Sequence, residues 1–358
     1  MWCHFLTEHF PGIPPNLQGI PHSEATELLV TFAGHVRTRS KHPPSQPVRA
    51  QTVSVALSAV SKTVQLAGQP PLLGRAPGQA WPVRIRELLE GYHREDPPPR
   101  SQLALPVQVL EHLQSQSQAN PASLQATQSD LCIIAFFYLL RVGEYTYTKP
   151  NQRRRTTQFR LKDIKLWAGN KLLDKSLPQA TLLQQCTAAT LTIDNQKNGK
   201  RGAVIHHEAT DSPICPIKAL IRRITNIVSS PNHTPDTIIG THFSPQHPIG
   251  FTVNARQITS ILRKAAKALH LDCQGIPTAS ISSHSLRAGG ATALHLNGYD
   301  TKTIQMLGRW SSDTFLTYIH HQIAAFSQGL SSAMATNIPF HNTHHTPIHP
   351  AVGDIVLT

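Results

Sequence analysis

The sequence has few cysteines, and none of them lies close to another. Only five occur in 358 residues, at Cys3, Cys132, Cys186, Cys215 and Cys273. Disulfide frameworks and structural zinc sites need paired or clustered cysteines, so an odd number without any CxxC pair disfavours both. We therefore expect a reducing compartment.

Long apolar runs are also missing. The longest, at residues 131–140, is too short to cross a bilayer. The segment MWCHFLTEHFPGIPP at the start lacks the basic residues and apolar core of a signal peptide. We therefore expect no membrane among the partners of this chain.

Acidic residues are scarce relative to basic ones. The chain has 20 Asp and Glu against 33 Lys and Arg, which gives a formal net charge of +13. Such an excess favours a polyanionic partner, most simply nucleic acid. A basic protein without a nucleic-acid role stays open on charge alone, because charge also serves solubility.

The last part of the chain is rich in Ser, Thr, His and Pro, and four histidines there suggest a metal site. They are His341, His344, His345 and His349. Prolines flank them and no acidic or cysteine ligand accompanies them, so we expect a disordered tail over 331–358 and no bound metal.

The chain is long enough for two domains. Helices are predicted from a cap at Ser23, over 49–67 and over 83–92. The proline-rich stretch that follows cannot continue a helix and indicates a linker over 97–105. We therefore predict a helical domain over 1–96 and a second domain over 106–330.

The second domain is predicted to be mainly α with a small antiparallel β-sheet. Strands at 190–193 and 203–206 flank a turn with Asn198-Gly199, a strong hairpin signal. This places Lys197, Lys200 and Arg201 at the hairpin tip. Helices are expected at 106–114, 129–140, 254–270, 283–297, 301–307 and 312–320.

Four of these helices carry notable features. The 129–140 helix is apolar on every side, which indicates a buried helix with Arg141 emerging from its end. Gly298 and Gly308 are placed as helix-ending glycines. On the 254–270 helix, the basic residues at helical spacing form either a DNA-binding face or a solvated face; they are Arg256, Arg263 and Lys267.

His284 and Arg287 lie three residues apart at a predicted helix start, and so project from one face. Backbone N–H groups at such a start favour an anion. The planar fork of arginine binds two phosphate oxygens at once and stays charged. This geometry suits a phosphate.

The segment from His284 to His320 resembles the carboxy-terminal signature of the tyrosine recombinase and phage integrase family. It contains HxxR, a glycine-bearing helix, a Leu-Gly step, a histidine-or-tryptophan position and a tyrosine, in that order. The resemblance implies that His284 and Arg287 are the second-box pair, that Trp310 fills the histidine-or-tryptophan position and that Tyr318 is the nucleophile.

Two further matches complete the resemblance. Leu139-Leu140-Arg141-Val142-Gly143-Glu144 is similar to the first box of the family, which implies that Arg141 clamps the phosphate and that Glu144 buttresses it. The lysine of the family lies on a β-hairpin between the boxes, which implies Lys197 as the general acid. Lys200, with its neighbour Arg201, then contacts flanking DNA.

The resemblance implies site-specific recombination or integration through a 3′-phosphotyrosine intermediate, without a metal or other cofactor. The expected partner is double-stranded DNA, bound by a homotetramer, with the 1–96 domain as the core-binding half of a clamp. The Arg-Ala-Gly-Gly-Ala-Thr run from Arg287 resembles recombinases of eukaryotic mobile elements, which implies the nucleus if the source is eukaryotic and the cytoplasm or nucleoid otherwise. A type IB topoisomerase and a domesticated, inactive DNA-binding protein remain alternatives.

The two turn lysines can be separated by a leaving-group test. A general acid matters only while its leaving group is poor, so Lys197→Ala should slow cleavage of ordinary DNA by roughly 10²-fold or more. A 5′-bridging phosphorothioate, whose sulfur leaves without protonation, should restore most of that rate. Arg287→Ala is the control and should show no comparable rescue. Rescue of Lys200→Ala in place of Lys197→Ala would transfer the acid role to Lys200.

Overall fold

The computed structural model describes residues 1–38, 47–73, 81–97, 103–147, 157–193 and 202–310. The chain forms two compact units, Met1–Pro99 and Arg100–Thr358. The 312–320 helix, the hairpin tip, part of the 97–105 linker and the 331–358 tail lie outside the described residues, so these stay predictions.

The described part of the first unit consists of helices. They are α1 (Trp2–His9), α2 (His22–Thr38), α3 (Ala50–Leu66) and α4 (Val83–Glu95). The two helices predicted over 49–67 and 83–92 are confirmed as α3 and α4, although α4 continues for another turn. The cap at Ser23 is wrong, because α2 begins at His22 and Ser23 lies inside its first turn. Phe5, Phe32 and Leu57 are buried in the core of this unit.

The second unit is mainly helical and contains a small antiparallel sheet, as predicted. Its helices are α5 (Gln108–Gln118), α6 (Leu124–Phe137), α7 (Val142–Tyr145), α8 (Gln179–Gln185), α9 (Pro216–Val228), α10 (Ala255–Ala268), α11 (His284–Leu296) and α12 (Thr301–Gly308). Its strands are β1 (Ile164–Ala168), β2 (Lys171–Leu173), β3 (Ala188–Ile193), β4 (Ala203–Glu208), β5 (Thr241–Ser244) and β6 (His247–Thr252). Strands β2-β1-β3-β4 form one sheet in that order, and β5 pairs with β6 in a separate hairpin.

The predicted strand pair at 190–193 and 203–206 is confirmed as β3 and β4. The two strands are antiparallel, with Ile193 opposite Ala203 and Thr190 opposite His206. The segment between Ile193 and Ala203 therefore leaves and re-enters the sheet at neighbouring positions. Its basic residues, 197, 200 and 201, lie outside the described residues.

Helix α6 is the central buried helix, and α5, α9, α10 and α11 pack around it. Leu131, Cys132 and Ile133 are fully buried, as the apolar character on all sides predicted. The predicted end of this helix is wrong, because α6 ends at Phe137 and Leu139 adopts a left-handed conformation with φ +46°. Arg141 therefore does not emerge from the end of α6 but is the N-cap residue of α7.

Two glycines bring α11 into backbone contact with its neighbours. A Cβ atom at Gly290 would lie 2.3 Å from the carbonyl oxygen of Phe136, and one at Gly289 would lie 2.3 Å from that of Leu105. Neither backbone can withdraw as a flexible side chain could. The Gly-Gly pair therefore lets α11 approach the end of α6, where Leu139 and Arg141 follow.

Gly290→Ala should lower the stability of the second unit by about 1–3 kcal/mol, the usual cost of overpacking a fixed site. Gly91→Ala in α4 is the matched control, because a Cβ there meets nothing within 4 Å; it should raise stability by about 0.5–1 kcal/mol. Urea unfolding followed by circular dichroism measures both. A Gly290→Ala protein as stable as the wild type would contradict the close approach.

Candidate active site

Arg141 and Glu144 are held together at the start of α7. The Arg141 backbone N–H donates to Glu144 Oε2 at 2.8 Å, and its Nη1 donates to Oε1 at 3.3 Å. Glu144 is fully buried, whereas the Arg141 side chain is 25% exposed. The carboxylate thus fixes both ends of Arg141 while leaving part of the guanidinium accessible.

Arg287 lies one turn into α11 and is 1% exposed. Its guanidinium donates to the carbonyl oxygens of Leu139 and Gly308. Leu139 follows the C-terminal end of α6, and Gly308 is the last residue of α12. Such ends carry partial negative charge and unpaired carbonyls, so a cation is stabilised there. The indole of Trp310 covers the guanidinium, with Arg287 Cζ 4.1 Å from the ring centroid.

Arg309 is a residue of this site that the sequence analysis missed. Its Nη2 donates to Leu139 O and to Glu144 Oε2, both at 3.0 Å. Its own carbonyl oxygen accepts from Arg141 Nη2 at 3.2 Å. Arg309 thus shares the Glu144 carboxylate with Arg141 and the Leu139 carbonyl oxygen with Arg287.

Gly308 does not end α12 in the way that was predicted. The left-handed residue is Arg309, at φ +57°, and Gly308 is the last residue of the helix. A Cβ atom at Gly308 would fall 1.6 Å from Trp310 Cζ3, so this glycine makes room for the indole. No signal in the sequence distinguishes these roles, since glycine is also the commonest residue after a helix end.

The cluster is rich in positive charge. Among the described residues it brings together three arginines, Arg141, Arg287 and Arg309, and one carboxylate, Glu144. Two of the arginines are almost fully buried, where an uncompensated charge is costly. The arrangement therefore favours binding of an anion.

His284 begins α11 and is half-buried. Burial lowers the pKa of its imidazole, and the positive charges of Arg287 and Arg141 lower it further. The ring is therefore neutral at pH 7 and can accept a proton. The structure brings five of the predicted residues together, and adds Arg309 to them; the five are Arg141, Glu144, His284, Arg287 and Trp310. Their roles in the reaction stay predictions.

The basic residues of α10 differ from one another in their contacts. Arg256 and Lys267 are exposed, and so is Lys264, which the sequence analysis did not single out. Arg263 is exposed as well, but it also donates from Nε to Ile281 O at 2.9 Å and from Nη2 to Ala279 O at 3.1 Å. It therefore holds the segment that leads into His284.

Four predicted site residues lie outside the described residues, namely Lys197, Lys200, Arg201 and Tyr318. Their assignments stay predictions.

The charge excess is concentrated in the second unit. Residues 100–358 hold 24 of the 33 Lys and Arg but 13 of the 20 Asp and Glu. Within the described ranges, the structure contains no group of three or more His, Cys, Asp or Glu side chains that is arranged to hold a metal ion. No helix in the part of the chain that the structure describes is long and apolar enough to cross a bilayer.

The chain is similar to solved structures of integrases and recombinases. The Tn1549 transposon integrase, in complex with circular intermediate DNA, is 14% identical with a TM-score of 0.45, over 93% of this chain and 90% of that one. XerH site-specific recombinase, bound to palindromic difH substrate, is 15% identical with a TM-score of 0.48, over 92% of this chain and 76% of that one. XerA recombinase is 13% identical with a TM-score of 0.39, over 94% of this chain and 89% of that one. No protein-family model and no curated protein sequence matches the chain.

The electrostatics of the site can be tested on His284. Because burial and two arginines disfavour the imidazolium, its pKa should lie below 6.5 in the folded protein. Arg287→Met should raise this pKa, and Arg141→Met should raise it by less. Titration of the imidazole resonances by NMR measures the shifts, with circular dichroism as the check on folding. An unshifted pKa in the wild type would contradict the described cluster.

The exposed basic face of α10 can be tested by salt dependence. If Arg256 and Lys267 contact DNA phosphates, replacing each with alanine should flatten the slope of log K against log salt by roughly 0.9 per residue. Arg263→Ala should instead lower stability, because it leaves two carbonyl contacts unmade. Lys171→Ala, an exposed lysine on β2, is the control for loss of one charge. Fluorescence anisotropy with duplex DNA of arbitrary sequence measures the slope. An unchanged slope would mean that the basic residues of α10 form a solvated face and do not contact DNA.

Proposed function

We propose that this chain is an enzyme that cleaves and rejoins DNA strands in site-specific recombination or integration. The observation that carries the proposal is the cluster of three arginines around one carboxylate, beside a histidine that is neutral at pH 7. The resemblance of the sequence to tyrosine recombinases supplies the two chemical groups outside the described residues, Tyr318 and Lys197.

The charge of the cluster suits a phosphodiester. A phosphodiester carries one negative charge, and more charge develops on its nonbridging oxygens as a fifth oxygen approaches phosphorus. Preorganised cations in a site of low water content stabilise that charge without reorganising during the reaction. Arg141, Arg287 and Arg309, less the charge of Glu144, leave an excess of two positive charges for this purpose.

The proposed reaction begins with attack by the phenolic oxygen of Tyr318 on the scissile phosphorus. The proton of Tyr318 passes to neutral His284, the bond to the 5′ oxygen breaks, and Lys197 protonates that oxygen. The products are a 3′-phosphotyrosine and a free 5′-hydroxyl. A 5′-hydroxyl of a partner duplex then reverses these steps, so the number of phosphodiester bonds is conserved and no nucleotide hydrolysis is needed.

Exchange between two duplexes requires two cleaving subunits on each, so we propose a homotetramer on double-stranded DNA. Phosphate contacts would position the subunits and carry no sequence information. The basic excess of residues 100–358 supports the second unit as the main source of those contacts.

The proposal is tested by trapping the covalent intermediate. Nicked duplexes with a randomised sequence beside the nick lose the short 5′-hydroxyl fragment after cleavage, so rejoining fails and the adduct accumulates. The wild type should give an adduct in the presence of EDTA, and Tyr318→Phe should give none while its DNA affinity stays nearly unchanged. Denaturing electrophoresis with labelled DNA measures the adduct.

Tyr299→Phe is the matched control, because Tyr299 is an exposed tyrosine of the second unit. Its adduct should equal that of the wild type. An adduct that survives Tyr318→Phe would overturn the nucleophile, and cleavage that depends on added Mg²⁺ without any adduct would overturn the reaction class.

A further inference from the structure

Arg309 is buried in a way that does not favour folding. Its side chain is 5% exposed, and its Nε and Nη1 atoms are buried without a hydrogen-bond partner among the residues that the structure describes. A buried donor without a partner destabilises the folded state, and more so when the group is charged. The backbone of Arg309 is also left-handed, at φ +57°, which is unfavourable for a residue with a Cβ atom.

The contacts of Arg309 converge on the two other arginines. Its carbonyl oxygen accepts from Arg141 Nη2, and its side chain donates to Glu144, whose carboxylate accepts from Arg141 N and Nη1. A closed loop of hydrogen bonds therefore joins Arg309, Arg141 and Glu144. The Leu139 carbonyl, which accepts from Arg309, also accepts from Arg287.

A helix cap alone does not account for this arrangement. Any residue that tolerates a left-handed backbone could end α12, and glycine or asparagine would do so without burying a charge. The carbonyl oxygen of residue 309 would also remain available to Arg141 with any side chain. What the arginine side chain adds is its double contact with Glu144 and Leu139.

Loss of that side chain would remove one of the two cationic partners of Glu144. The carboxylate now has Arg141 and Arg309 as cationic partners. With Arg141 alone, the same carboxylate would attract the Arg141 guanidinium more strongly, away from any bound phosphate. The excess positive charge of the cluster would also fall by one.

We propose that Arg309 is a positioning residue for the phosphate site: it holds the Glu144 carboxylate and the Leu139 carbonyl, and thereby aims Arg141 and Arg287 at the phosphate. This inference rests on the proposed function for the identity of the phosphate, a DNA phosphodiester. Arg309 acts through its two neighbours and does not itself touch the DNA.

The test uses Arg309→Lys, which keeps the charge but has a shorter side chain, so that its Nζ does not reach the position from which Nη2 contacts both acceptors. Inorganic phosphate is the probe. Isothermal titration should show phosphate binding to the full-length wild type and binding weaker by roughly 5- to 10-fold in the variant, as expected for loss of one charge-assisted contact. In an Arg141→Met background, Arg309→Lys should lower the affinity by a smaller factor than it does in the wild type, because one of the two residues through which it acts is gone.

Arg223→Lys is the matched control. Arg223 is also fully buried and donates to carbonyl oxygens, those of Ile239 and Thr241, but it belongs to no part of the cluster. It should lower the unfolding temperature at least as much as Arg309→Lys does while leaving phosphate affinity unchanged. Equal losses of affinity in both variants would mean that general destabilisation, and not positioning, is responsible.

The adduct assay separates this inference from the proposed function. With saturating nicked DNA, Arg309→Lys should lower the rate of adduct formation while DNA affinity stays the same. If the phosphate affinities are as expected but the wild type forms no adduct, the proposed function is overturned and the role of Arg309 at the anion site stands. Three results would each overturn the inference. Arg309→Lys could bind phosphate as tightly as the wild type does, it could lower the affinity by the same factor with and without Arg141→Met, or the wild type could bind no phosphate.

Discussion

The carbonyl oxygen of Leu139 is the acceptor on which the whole cluster depends. It accepts from Arg287 and from Arg309, and it faces them only because Leu139 adopts the left-handed conformation at φ +46°. That conformation is unfavourable for leucine, so the surrounding packing must impose it. The close approach of Gly290 to Phe136 does so, because it fixes the end of α6 against α11. The glycine pair, the turn after α6 and the arginine cluster are therefore one interdependent arrangement.

Buried arginine is used in two different ways in the second unit. Arg223 is held by carbonyl oxygens and by Thr127, close to the carboxylate of Asp130, and burial lowers the pKa of its guanidinium to about 10. The positive charge of Arg223 is therefore balanced by acceptors and by a nearby carboxylate, and its role is to stabilise the fold. Among the residues that the structure describes, the cluster of Arg141, Arg287 and Arg309 has one carboxylate for three cations, so binding of an anion should be favourable there. Binding would then stabilise the folded state by mass action.

The sequence predicted much of this site, and the misses have physical reasons. Five residues were identified because their order and spacing resemble those of a known family, namely Arg141, Glu144, His284, Arg287 and Trp310. Arg309 was not, because its role arises from a left-handed backbone and from acceptors on α7 and after α6, which no local pattern reveals. The apolar run through Leu140 likewise concealed the end of α6. The charged appearance of Arg263 gave no indication that its guanidinium holds Ile281 and Ala279.

Trp310 shows how the site divides its tasks. An indole has one N–H donor and accepts no proton near neutral pH, so Trp310 cannot share the proton transfer that we propose for His284. What it contributes is a cover: the ring stacks on Arg287 and fills the space that Gly308 leaves open. A cation beneath an aromatic face is held more strongly as water is excluded. Excluding water also strengthens the influence of Arg287 on the pKa of His284. Through its contact with Arg287, Trp310 therefore influences both the proposed phosphate site and the proton acceptor.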